Sequence, residues 1–252
     1  MHRVLLTLRY DGSNYHGWQR QKNGVSVQEV LENAICSAFP TAAPIRILAV
    51  SRTDAFVHAL NQKCVFDIPR EALKCPVDRA PCVINGFLPS DIAVSRARFV
   101  AADYNLHKHV TEKTYRYQIT NDRHANPLSR NYAWHVKFPL DVRKMRLAAR
   151  FFIGKHDFTA FCASGSSVKS FERTIFAVSI KRRKHEKMLV IYIKGDGFLY
   201  NMARIIVGTL VYAGMGKIEP DYIKTIIAQK KRENAGPTAP PQGLTLYDVR
   251  IS

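Results

Sequence analysis

Apolar residues in this chain come in short runs, and the helical stretches between them do not alternate with those runs one for one. Residues 4–10, 45–50, 63–68 and 92–99 read as strands in the first half, and 114–120, 174–181, 188–194 and 244–251 in the second. Ser26 opens a helix with Glu29 three residues on, a capping box, and Val27, Val30, Leu31, Ala34, Ile35 and Ala38 follow on one face. Further helices are expected over 78–87, from an Asp141 cap through Phe152, over 200–212, and after Pro220 with Ile223, Ile226 and Ile227 inward. Strict strand–helix alternation would mark a doubly wound parallel sheet; without it the pattern argues for an α+β fold. The polar stretch 101–112 is expected to divide the chain into parts 1–101 and 102–252.

The charge points to a partner. Thirty-eight Lys and Arg against twenty Asp and Glu give a net +18. An excess of this size suits a polyanion, since each neutralised phosphate releases counterions. The runs 181–184 and 230–232 are internal, so the charge belongs to the folded body; the hairpin tip 182–186 is basic. Five cysteines with no C-x-x-C pair suggest reduced thiols, with neither zinc nor disulfide expected. No apolar run approaches the roughly 18 residues of a membrane span. The opening Met1-His2-Arg3 runs straight into a strand, so no signal peptide is read and a cytoplasmic location is expected.

Five segments carry chemistry. Ser51-Arg52-Thr53-Asp54-Ala55-Phe56-Val57-His58-Ala59 follows an expected strand, where a loop carboxylate is well placed to react. The flanking Arg52 suits a phosphate or the gap left by an extruded base. A plain turn with a satisfied Asp is the ordinary alternative. Tyr10-Asp11-Gly12-Ser13 and Tyr15-His16-Gly17-Trp18-Gln19-Arg20-Gln21 interleave aromatics with Arg and Gln, which suits exposed bases and phosphates; a strand, a turn and a packed Trp18 is the alternative. In Lys113-Thr114-Tyr115-Arg116-Tyr117 the two tyrosines share one strand face. The stretch from Gly195 through Phe198 and Met202 to Gly208 places a lone Arg204 among apolar residues, and such a charge calls for a carboxylate partner. The last is a Pro/Gly loop, Ala235-Gly236-Pro237-Thr238-Ala239-Pro240-Pro241-Gln242-Gly243-Leu244.

In this order the segments resemble the TruA family of tRNA pseudouridine synthases along essentially the whole chain. The family patterns are Y-D-G-x-x-Y-x-G-W-Q-x-Q, G-R-T-D-A-G-V-H-A, a K/R-x-Y-x-Y strand, G-F-L-Y-x-M-V-R-x-I-V-G and A-G-P-T-A-P-x-x-G-L, and the segment from His156 to Phe161 also has a counterpart. The resemblance implies two RRM-like (ferredoxin-like) halves whose antiparallel sheets join across a basic central cleft, the first half carrying Asp54 and the second Tyr115 and Arg204. It implies a homodimer holding tRNA, uridine as substrate around positions 38 to 40 of the anticodon stem-loop, and no cofactor or metal. Asp54 is then the catalytic carboxylate, Tyr115 packs on the base, and Arg204 pairs with Asp54 and keeps it ionised. Arg52 fills the place of the flipped base and Leu244 lines the pocket; Arg20, Phe56, His58 and His107 complete the expected substrate-binding set.

The chain departs from the pattern in two places. Ser51 and Phe56 stand where the family has glycines, which allow positive φ or close approach to a ligand. Leu106-His107-Lys108 stands where relatives often have A-R-F, so a substrate-contacting Arg becomes His107. These departures keep open a paralogue acting on another tRNA position or on rRNA, and a non-catalytic RNA-binding or RNA-folding module.

Overall fold

The structure is a computed structural model that describes every residue except Ser166, Ser167 and Lys184. Lys184 of the expected basic hairpin tip therefore lies outside the described residues. In chain order the first elements are β1 (His2–Tyr10), α1 (Val27–Ala38), β2 (Leu48–Ala49), β3 (His58–Ile68), α2 (Ala80–Asn85), β4 (Ile92–Val100) and α3 (Leu106–His109). There follow β5 (Val110–Thr120), β6 (Trp134–His135), α4 (Val142–Arg150), β7 (Gly154–Asp157), β8 (Glu172–Arg183), β9 (Met188–Gly195), α5 (Met202–Gly214), α6 (Tyr222–Gln229) and β10 (Leu244–Ile251). The fold is α+β, with mostly antiparallel strands. The chain forms two compact units, Met1–Thr111 with Leu246–Ser252, and Glu112–Thr245.

In the first unit β1 lies between β4 and β3, antiparallel to both, and β2 pairs antiparallel with β3. Val4, Leu6, Leu8 and Tyr10 alternate along β1 and are all buried. The Ser26 hydroxyl accepts from the Glu29 N–H at 3.2 Å, as a cap should, and α1 buries Val27, Leu31, Ala34 and Ile35. It also buries Gln28 and Glu32, which the periodicity did not single out. These two explain why the strand expected over 45–50 shrinks to Leu48–Ala49. The Glu32 carboxylate accepts from Ile47 N at 3.0 Å, and Gln28 Nε2 donates to Ile47 O at 3.2 Å. Side chains of α1 thus take the backbone groups that a longer strand would give to its ladder. Two further boundaries move: β3 begins at His58 rather than at 63, and α2 covers Ala80–Asn85 of the expected 78–87.

The second unit orders its antiparallel strands β5-β9-β8-β7, and β6 lies parallel to β5. Asp141 caps α4, its carboxylate accepting from Arg143 N at 2.8 Å and Lys144 N at 3.1 Å. Phe152, Phe158 and Phe161 are fully buried, with ring centroids 5.1 Å and 6.0 Å apart along the cluster. The segment 156–161 is therefore core, each such ring contributing about 2–3 kcal/mol of burial. Helix α5 starts at Met202, two residues later than expected, because Asn201 adopts the left-handed conformation at φ 59°.

Candidate active site

The Asp54 loop is built from both of its flanks in the first unit. The N–H of Val57 donates to the Asp54 carbonyl at 3.2 Å, closing a four-residue turn over 54–57. Phe56 is its third residue and lies at φ 65°. A positive φ there ordinarily calls for glycine. An L-residue in that region costs roughly 1–2 kcal/mol. The turn is pinned by Phe56 N–H donating to Tyr15 O at 3.1 Å and by Trp18 N–H donating to Thr53 O at 3.1 Å. The Thr53 and Tyr10 hydroxyls meet at 2.8 Å in the interior. Asp54 itself is half-buried, between exposed Arg52 and exposed Phe56.

Gly17 shows why the 15–21 segment sits where it does. Its φ is 88°, and a Cβ there would stand 2.6 Å from Thr53 O and 3.1 Å from the Asp54 carbonyl carbon. The backbone of Gly17 therefore lies flat against the peptides on either side of Asp54. The expectation that these aromatics meet exposed bases is corrected for three of them: Tyr10, Tyr15 and Trp18 are buried, Trp18 to 1% exposure. They form the packed wall behind the loop. Tyr15 adds a hydroxyl bond to Asp91 at 2.6 Å, and burial, then Asp91, push its phenol up.

His58 is 6% exposed, its Nδ1 lying 3.0 Å from both Gly12 N and Asp11 Oδ1. Its placement is that of a brace between β3 and the 11–13 turn, where Asp11 also accepts from Ser13 N and Oγ at 2.9 and 2.6 Å. Arg20 is exposed and reaches two carboxylates, Glu32 at 3.0 Å and Glu29 at 3.7 Å. His107 is exposed in α3, its N–H donating to the capping Asn105 side chain at 3.1 Å.

Three expected residues lie in the second unit. Tyr115 is a buried residue of β5 whose ring meets Phe198 edge-on at 4.8 Å. Arg204, on α5, donates from Nε to Ala239 O at 2.7 Å and from Nη1 to Asn201 Oδ1 at 2.7 Å. Two of its donors thus go to neutral acceptors, which a lone Arg among apolar residues does not announce in sequence. Leu244 is buried at the start of β10.

The Pro/Gly loop is clamped to α5 rather than merely connecting elements. A Cβ on Gly208 would fall 1.7 Å from Pro237 O, so the loop crosses the helix at backbone contact. Thr209 Oγ1 accepts from Gly236 N at 2.9 Å, Ala239 N donates to Arg204 O at 3.2 Å, and the Tyr117 hydroxyl donates to Pro240 O at 2.7 Å. Arg232 adds bonds to Gly236 O at 2.9 Å and Thr238 Oγ1 at 3.1 Å. In the sequence Lys113 stands out only as part of its strand. Burial, and then Arg173, lower its ammonium to about 8.

Each unit thus presents one firmly held polar group of catalytic type: a half-buried carboxylate on a pinned turn, and a guanidinium fixed by two hydrogen bonds beside a strand carrying Tyr115. Such a carboxylate can attack carbon or take a proton. Among the described residues no group of three or more His, Cys, Asp or Glu is placed to hold a metal, and no helix is long and apolar enough to cross a membrane.

Comparison with known proteins agrees with these features. A family model described as tRNA pseudouridine synthase matches residues 7–107 and 148–251. The chain is 45% identical over 249 residues to a protein named tRNA pseudouridine synthase A from Thermoanaerobacter sp. (strain X514), covering 99% of each chain. It is 45% identical, with the same coverage, to one of that name from Acetivibrio thermocellus, and 40% identical over 98% of each chain to one from Bacillus pumilus. With motif, fold and full-length relatives in agreement, this chain belongs to the tRNA pseudouridine synthase family.

Proposed function

We propose that this protein isomerises uridine to pseudouridine in tRNA, with Asp54 as the reacting carboxylate. The observation that carries the reading is the seating of Asp54 on a turn pinned from Tyr15 and Trp18. A merely satisfied surface Asp needs no such bracing.

The chemistry fits the residues. The C1′–N1 bond breaks, the uracil turns, a C1′–C5 bond forms, and the hydrogen on C5 leaves. The carboxylate serves by bonding to C1′ or by removing a sugar proton to give a glycal. The balance of the reaction calls for no oxidant, phosphate donor or metal. In this reading Tyr115 packs on the extruded base, Arg204 pairs with Asp54 and keeps it ionised, and Arg52 takes the place of the base in the helix. Arg20, His107, Phe56 and Leu244 belong to the substrate-binding set, with His58 bracing the loop.

The finer features follow the family pattern. The first unit is an RRM-like half: the order β1-α1-β2-β3-α2-β4, with β1 between β4 and β3 and β2 outside β3, supports it. In the second, β5-α4-β8-β9-α5 with β9 between β5 and β8 supports the same reading. The protein acts as a homodimer in the cytoplasm, on the anticodon stem-loop around positions 38 to 40, with the +18 charge serving the phosphates.

The test is tritium release from C5-labelled uridine in tRNA transcripts. Wild type should release tritium, and Asp54→Asn should release at least about a hundredfold less while still binding tRNA. Equal release by the two proteins would remove Asp54 from the mechanism, and no release by wild type would sink the function.

A further inference from the structure

We propose that Phe56 and His16 form an aromatic ledge beside Asp54 on which a nucleobase flanking the target uridine stacks. The proposal rests on the uridine-isomerising reading above and assigns the neighbouring nucleotide a place in it.

Two features of Phe56 are each unfavourable to the folded chain alone. Its backbone sits at φ 65°, where a bulky side chain is an outlier, and the residue is 43% exposed rather than packed. A residue kept for the fold would satisfy at least one of these. The ring finds its one described aromatic neighbour in His16, centroid to centroid 6.0 Å at a tilt of 50°. His16 is exposed as well, but its ring is backed by bare backbone: a Cβ on Gly24 would meet its atoms at 2.3 to 2.7 Å. Main-chain bonds fix both residues, Phe56 N–H to Tyr15 O at 3.1 Å and His16 N–H to Val25 O at 2.9 Å. The pair is thus an aromatic surface open to solvent and held at its backbone, with Phe56 two residues from the carboxylate.

The chemistry of the substrate supplies the occupant. To extrude a uridine, the RNA must unstack it from its neighbours, leaving an adjacent base with one bare face. An exposed aromatic surface takes such a face without regard to sequence, and stacking of this kind changes binding by about tenfold or more per base.

The test is tritium release under kcat/KM conditions from C5-labelled stem-loops in which the nucleotide 5′ or 3′ of the target is intact or abasic. On one flank the abasic substitution should slow wild type about tenfold. Phe56→Gly, which removes the backbone outlier and so threatens folding least, should be slowed comparably on intact RNA and lose little more on the abasic RNA. Phe56→Trp should keep the dependence, and His16→Ala should weaken it. Equal abasic losses in wild type and Phe56→Gly, or full activity of Phe56→Gly on intact RNA, would overturn the ledge; full activity would instead make the ring a contact for another protein. No release by wild type would remove the enzymatic reading and the ledge with it, so the two failures are told apart.

Discussion

The main-chain N–H of Phe56 donates to the carbonyl of Tyr15 at 3.1 Å, and Phe56 lies at φ 65°. This bond thus ties the Asp54 turn to buried Tyr15 at the residue least suited to the conformation. Phe56→Gly should leave stability unchanged or raise it by up to about 1 kcal/mol, since the lost Cβ strain exceeds the added chain entropy. Phe56→Ala keeps a Cβ at the same φ and should show no such gain. Urea unfolding of the three proteins checks this; a clear loss of stability in Phe56→Gly would mean that the ring, not the backbone, holds the turn.

Gly17→Ala should be far more harmful. The new methyl would stand 2.6 Å from Thr53 O at a φ of 88°, so either the 15–18 wall or the Asp54 turn must move. A loss of about 2 kcal/mol or more is expected. Tritium release should fall even at temperatures where the variant remains folded. Full activity in a folded Gly17→Ala would show that the turn does not depend on this contact.

The α+β class and most strands were legible because apolar period and length betray them, as along β1 and β9. The strand expected over 45–50 shortens because Glu32 and Gln28 take the backbone N–H and carbonyl of Ile47, which no local pattern announces. For the proposed chemistry, Asp54, Tyr115 and Arg204 are candidates on motif order. The packed Trp18 is one of two alternatives the sequence leaves open, whereas the bracing role of His58 is not legible there, since it depends on contacts with Asp11 and Gly12, distant in sequence. Lys113 carried no signal, because a lowered ammonium comes from burial and from Arg173, distant in sequence.

Arg204→Lys tests the fork on α5. Nε and Nη1 reach Ala239 O and Asn201 Oδ1 at once, and an ammonium lacks that fixed planar geometry. One acceptor should lose its donor, at a cost of about 1–3 kcal/mol. The released 236–240 loop should also lower tritium release. Asn201→Gly, which keeps the left-handed residue at φ 59° but drops one bond, should lie between wild type and Arg204→Lys. Unchanged unfolding midpoints in both variants would show that the clamp contributes nothing.

Lys113 gives the chain a pH signature above neutrality. Its ammonium, ordinarily near 10.5, titrates at about 8 in the folded protein, chiefly through burial and then through Arg173. Below about 8 both folded and unfolded states carry the proton, and the penalty for the buried charge is fully present. Between about 8 and 10.5 the folded lysine loses its proton while the unfolded one keeps it, so this group's contribution to stability rises with pH. Lys113→Met removes the titration. Wild type should therefore gain on the variant by an amount on the order of 2 kcal/mol as pH climbs through that window. Urea unfolding of both proteins from pH 7 to 10.5 measures the difference. A gap that stays constant would place the lysine's titration near its ordinary value, whereas bound RNA, which favours the charged form, should hold the gap at its neutral-pH size to higher pH.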